Sequence, residues 1–148
     1  MKCEHKTPEE IQGTEKVIES FGRWPCFHDA EVISFSAERA LPGHDGTSVA
    51  RLTVNVREYT TINEGTADYD TVVTKSILIR FMFRGACDFE ITDFNQQNVI
   101  DSIDISKVEV DDHADLRVEV ESIWGFGGVL RCESIEVEAV EELPTGMV

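Results

Sequence analysis

From Glu31 onward, apolar and polar residues alternate in short runs separated by turns rich in Gly, Asp and Asn. A period of two is the signature of half-buried β-strands. In EVISFSAER the inward set is Ile33, Phe35 and Ala37, and in SVARLTVNVREY it is Ala50, Leu52, Val54 and Val56. SILIRFMFRG puts Ile77, Ile79, Phe81 and Phe83 on one face. Its other face (Leu78, Arg80, Met82, Arg84) is mixed, which predicts a central strand partly covered on both sides. CDFEI predicts a short strand with Cys87, Phe89 and Ile91 inward. KVEVDDHADLRVEVESIW reads as strand, turn and strand. Val108 and Val110 share the inner face with Leu116, Val118 and Val120, while Glu109, Arg117, Glu119 and Glu121 point away. VLRCESIEVEAVE is the last strand, with Ile135, Val137 and Ala139 inward.

Only the first part of the chain has helical spacing. In TPEEIQGTEKVIESFG, Thr7 is suited to an N-cap, Pro8 to the first helical position and Glu10 to a capping box. Ile11, Val17, Ile18 and Phe21 form its apolar face and Gly22 stops it, with Gly13 a weak point in the middle. LPGHDG, residues 60–72 and the amide-rich TDFNQQNVI read as turns or loops. One helix and about seven to eight strands without crossover helices predict an α+β, mostly β fold. The expected architecture is a curled or sandwich-like antiparallel sheet with the helix packed on it. Residues 1–148 are expected to form one domain.

Charge narrows the functions. Thirteen Lys and Arg stand against 29 Asp and Glu, a net charge of −16. The imbalance is steepest at the end. Residues 1–100 carry 16 acids and 10 bases, whereas residues 101–148 carry 13 acids and three bases. Nucleic-acid and anionic-membrane binding need a basic footprint and are disfavoured. A one-signed surface either solvates the protein or steers it to a basic partner. The polar start MKCEHKTPEE has no apolar signal region, and no run is long enough to span a bilayer, so the cytoplasm is expected. The four cysteines lack a CxxC pair and are read as buried thiols in place of a disulfide framework.

Candidate chemistry centres on GRWPCFHDAEVISF. His28 and Asp29 adjoin at a strand entrance, where neighbours point to opposite faces, so one metal cannot easily take both. The structural reading is a clasp: Trp24 and Phe27 buried, Pro25 fixing the turn, and His28-Asp29 tying it to the sheet. The chemical alternative is a small metal protein or hydrolase using Cys26, His28 and Asp29. A zinc site from Cys3, His5, Cys26 and His28 is disfavoured by its one-residue spacings. A third reading, a ligand-binding barrel, requires a large apolar cavity. WGFGG lacks phosphate-loop spacing and runs into a strand. No catalytic residue, metal or cofactor is assigned. More informative is the hairpin VEVDDHADLRVEVE, which concentrates Glu109, Asp111, Asp112, Asp115, Glu119 and Glu121. Like charges this close repel, and a docking basic partner relieves the repulsion.

FGRWPCFHDAEVISFSAER resembles the start of a bacterial immunity-protein group, the immunity protein 50 family, at Trp24, Pro25, Phe27, His28, Asp29, Ala30 and Glu31. DFNQQNVI and LRCESIEVEAVE are similar to that family's amide-rich turn and closing strand. The resemblance covers most of the chain from about Phe21. It implies a small cytosolic protein, without catalysis, that protects a bacterium by binding a polymorphic toxin. The expected partner is therefore a cognate protein toxin with a basic active-site surface, met by the acidic hairpin.

Overall fold

A computed structural model describes residues 6–41 and 47–145. The elements follow as β1 (Ile11–Gln12), α1 (Thr14–Phe21), β2 (Glu31–Arg39), β3 (Ser48–Ile62), β4 (Asp70–Arg84), β5 (Cys87–Thr92), β6 (Val99–Val110), β7 (His113–Trp124), β8 (Gly127–Cys132) and β9 (Ser134–Glu142). The strands form one sheet in the order β1-β9-β4-β3-β2-β6-β7-β8-β5. The α+β, mostly β class holds. The sheet is mixed because β1 runs parallel to β9.

Strands β2 and β6 share one rung, Glu31 with Val99, and the sheet turns over at this weak join. Leu52 and Phe83 from one half and Val118 and Leu130 from the other line a common internal gap of about 10 Å³. That gap holds one water at most, so it is no ligand cavity. Phe35 of β2, the middle strand, lies 5.9 Å from Phe89 of edge strand β5 and 5.7 Å from Phe126, so that edge packs back over the middle of the sheet. Strand β4 is central, between β9 and β3, with Ile77, Ile79, Phe81 and Phe83 all buried. Helix α1 packs on β4 and β9 through Val17 and Phe21. Its C-terminus is closed by Gly22, whose N–H donates to Ile18 O at 2.8 Å, and by Lys75 Nζ on Phe21 O at 2.8 Å. A cation there also suits the helix dipole.

Several expectations change, each for a local reason. The helix begins at Thr14, so Thr7 and Pro8 precede it and no capping box forms at its start. Gly13, at φ 81, is the N-cap and breaks the run, and Ile11–Gln12 pair with Ile135–Glu136 of β9 instead. A Cβ at Gly13 would meet Val137 O at 3.1 Å, so the close approach also calls for glycine. In β2, a bulge between Val32 and Ser34 shifts the alternation. Val32 is buried, Ile33 is 47% exposed and Ala37 is exposed, although Phe35 still faces inward. A second irregularity, at Arg80/Phe81 opposite Glu138, turns Ala139 outward while Ile135 and Val137 stay buried. The last strand is two strands. Glu133 separates β8, paired with β7, from β9, paired with β4, so the chain crosses between the halves there.

The register of β6 and β7 differs as well. A two-residue turn, Asp111-Asp112, pairs Val110 with His113, Val108 with Asp115 and Lys107 with Leu116. Ile103 and Ile105 therefore share a face with Val120 and Val118, and Val108 belongs to the opposite face. Strand β6 starts at Val99, inside the segment expected to be a turn. Residues 60–71 are exposed and Val72 is half-buried, largely as expected of a loop, but β3 and β4 extend into the segment as far as Ile62 and Asp70.

Candidate functional site

The WPCFHD segment wraps the end of the core. Trp24, Pro25 and Phe27 are buried. The Trp24 and Phe27 rings lie 6.3 and 5.9 Å from Phe81 and 5.6 Å from each other. Such pairs contribute about 0.5–1.5 kcal/mol each beyond area burial. Phe27 and Asp29 both take φ 66, a left-handed conformation that costs about 1–2 kcal/mol per residue. The surrounding ladder holds it: Asp29 N donates to Ile100 O (3.0 Å), Ala30 N to Phe27 O (3.0 Å) and Ile100 N to Ala30 O (2.9 Å).

His28 stands outside this clasp, with its side chain 47% exposed. Its Nδ1 lies 2.8 Å from Asp101 Oδ1, and its Nε2 is 3.6 Å from Asp29 Oδ2. The pair forms one wall of an open cleft of about 780 Å³, which Asp104 and Glu121 also line. Ser102 Oγ hydrogen-bonds to both of those carboxylates, at 2.8 and 3.2 Å. Among the described residues no three His, Cys, Asp or Glu side chains are placed to hold a metal ion. Cys26 is held in a disulfide, which corrects the free-thiol reading and removes it as a nucleophile. Cys87 and Cys132 are free, and burial pushes the Cys132 thiol up to about 12. Cys3 and His5, the other half of the zinc arrangement, lie outside the described residues.

The acidic hairpin is divided by the fold. Asp111 and Asp112 occupy its turn at φ 51 and 61, the signature of a type I′ turn, which Asp tolerates. Both are exposed, as are Glu109 and Glu121. Asp115 is not: at 8% exposure it lies between Arg131 Nε (2.9 Å) and His113 Nε2 (3.1 Å). Arg131 also reaches Asp88 at 2.7 Å. Neither Asp115 Oδ1 nor Arg131 Nε completes a hydrogen bond, so electrostatic attraction holds this group together. Glu119 is half-buried and paired with Arg117 at 3.2 Å. The exposed hairpin acids are thus Glu109, Asp111, Asp112 and Glu121.

Three features were not legible as sites. Asn98 is 3% exposed and ties separate segments together: its Oδ1 accepts from Asn95 N (2.7 Å) and Phe126 N (3.1 Å), and its Nδ2 donates to Val32 O (3.3 Å) and Asn95 O (2.9 Å). Gly125 (φ 83) faces this knot so closely that a Cβ would collide with Gln97 O. On the outer sheet face, Arg51 binds Glu138 at 2.9 Å and Arg84 binds Glu136 at 3.1 Å. The Arg51 hydrogen bond holds the Glu138 carboxyl below its ordinary range. Finally, the outer part of β3 and β4 leaves the sheet as a two-stranded arm.

A family model described as Immunity protein 50 matches residues 13–143, from the start of α1 through the end of β9. The chain belongs to the immunity protein 50 family. No curated protein and no solved structure matches it significantly. Within this immunity protein 50 chain, Trp24 to Glu31 lie inside the matched region and form the entrance to β2. Among the described residues no helix is long and apolar enough to cross a membrane.

Proposed function

We propose that the protein acts in the bacterial cytoplasm as an immunity protein, binding a cognate polymorphic toxin and blocking a basic active-site surface on it. Membership of the immunity protein 50 family across residues 13–143 is the observation that carries this reading. The net charge of −16 supports a basic partner surface, which one-signed charge attracts at long range. Neutralisation of this kind is steric and electrostatic and asks no chemistry of the chain. Exposed Glu109, Asp111, Asp112 and Glu121 supply an acidic docking edge on the β6–β7 hairpin. Asp115 and Glu119 are left out because their charges are already matched within the protein.

Co-expression with the toxin encoded beside this gene is the test. Rescue of the cells and co-purification of the two chains are expected, and absence of both overturns the reading. Charge reversal at Asp111 and Asp112 should slow association and flatten its salt dependence; an unchanged on-rate removes the hairpin from the interface.

A further inference from the structure

We propose that the protruding β3–β4 arm, residues 59–73, is a preformed plug that inserts into a concave, basic cleft of the toxin. The proposal rests on the toxin-binding reading above and adds the element that makes the contact. Pairing of β3 with β2 ends at Asn55, and pairing of β4 with β9 ends at Ile77. Past Glu58 and Lys75, β3 and β4 pair only with each other, through Tyr59–Val73, Thr60–Val72, Thr61–Thr71 and Ile62–Asp70. At about 3.3 Å per residue this ribbon and its loop extend roughly 15 Å beyond the sheet.

A two-stranded ribbon on its own is marginal in water, and its apolar side chains gain nothing from facing solvent. Yet every residue from 59 to 71 is exposed, including Tyr59 (50%), Ile62 (40%) and Tyr69 (60%). Tyrosine anchors are enriched at interfaces because they bury a large area at small entropic cost.

The loop is preorganised. Thr66 N and Thr66 Oγ1 both donate to Asn63 O (3.2 and 2.7 Å). Asp68 N donates to Thr66 Oγ1 (3.2 Å), Asn63 Nδ2 to Asp68 O (3.2 Å) and Tyr69 N to Thr66 O (3.4 Å). Its base is pinned as well, by Arg23 on Glu58 at 2.6 Å. Ordering completed before binding is not charged against affinity.

Charge selects the occupant. Residues 59–74 contain Glu64, Asp68 and Asp70 and no Lys or Arg. A second copy would bring an equally acidic arm to a chain of net charge −16, and the two would repel. A basic concavity on an oppositely charged protein fits both the shape and the sign.

The test measures the Kd of the complex with the catalytically inactivated toxin encoded beside this gene. Tyr59→Ser, Ile62→Ser and Tyr69→Ser combined should weaken binding by about 30-fold or more, the size of an interface hot spot. A milder variant, Glu64→Lys with Asp68→Lys, lies wholly in the exposed loop and should cut the on-rate about tenfold, with a flatter salt dependence. Amides of residues 59–73 should gain hydrogen-exchange protection in the complex. If the wild-type complex forms, and the loop variant binds within threefold with no protection of the arm, the plug is wrong and the toxin-binding reading stands. If the wild-type protein binds no toxin, both fall. A dimer in solution that protects the arm assigns it to a second copy and overturns the proposal.

Discussion

The β6–β7 hairpin and the β3–β4 arm, residues 59–73, are both acidic, but the fold treats their charges differently. In β6–β7 two acids meet cations: Arg131 from the neighbouring β8 lies against Asp115, and Arg117 of β7 itself lies against Glu119. In β3–β4 only Glu58, at the base of the arm, meets a cation, Arg23, while no ion pair engages Glu64, Asp68 or Asp70 among the described residues. Flanked by β8, the β6–β7 hairpin has Asp115 neutralised from the side, while Glu109, Asp111, Asp112 and Glu121 stay exposed. A hairpin that outruns its neighbours keeps its acids for a partner. Counting acids along the chain does not separate Asp115 and Glu119, matched within the fold, from the exposed members of the β6–β7 set, and does not mark the β3–β4 arm.

The sharpest way to break this contrast is to remove an internal acid and an external one. Asp115→Ala removes the buried carboxylate between Arg131 and His113, leaves Arg131 only Asp88, and should destabilise the protein by about 1–3 kcal/mol in urea unfolding. Asp68→Ala, in the exposed loop, should stay within about 0.5 kcal/mol of wild type. Equal losses would show that the fold does not discriminate between the two hairpins.

The turns offer a smaller test. Replacing Asp111-Asp112 with Asn-Gly supplies the residues that prefer positive φ at both positions, and should stabilise by about 0.5–1 kcal/mol in the same assay. No gain would mean that the Asp side chains offset their own backbone strain.

Acid should cost stability through the anchored carboxylates. Hydrogen bonds from Arg23 and Arg51 hold Glu58 and Glu138 below the ordinary carboxylate value of 4.5. A depressed folded-state value means stability that is present above the unfolded pKa and lost as pH falls through the folded one. Tm should therefore drop as pH falls below about 4.5, and Glu58→Gln and Glu138→Gln should each flatten that drop. A Tm that stays level down to pH 3 would contradict the pairing.

The smallest effect concerns the thiols. Burial pushes Cys132 up to about 12, so its neutral form is favoured in the fold, and the stability this gives is lost as pH rises from 9 towards that value. At pH 8 a thiol reagent should label half-buried Cys87 well before buried Cys132. Equal rates would show that the β7–β8 half opens easily.

Period-two patterning was enough to read most strands because the inner face of a strand must be apolar whatever its neighbours are. Ala50 to Val56 and Ile77 to Phe83 follow that rule along their whole length. Gly22 was legible as a helix stop because its left-handed conformation is a local property. Bulges were not legible. Ile33 and Ala139 have the composition of core residues, but the partner strand's register decides which side an extra residue takes. The clasp residues were visible from type and order. That His28 would meet Asp101, 73 positions away, was not.

The sequence by itself determined the strand-rich class, the acidic balance and the family, since composition, period and motif are local quantities. The tertiary structure alone decided which carboxylates remain available. Charge matching depends on which cations the strand register sets beside each acid, and on where β2 and β9 stop accompanying β3 and β4. That is why the acids singled out along the chain are partly neutralised in the fold, and why a polar stretch read as a loop becomes the end of an exposed arm.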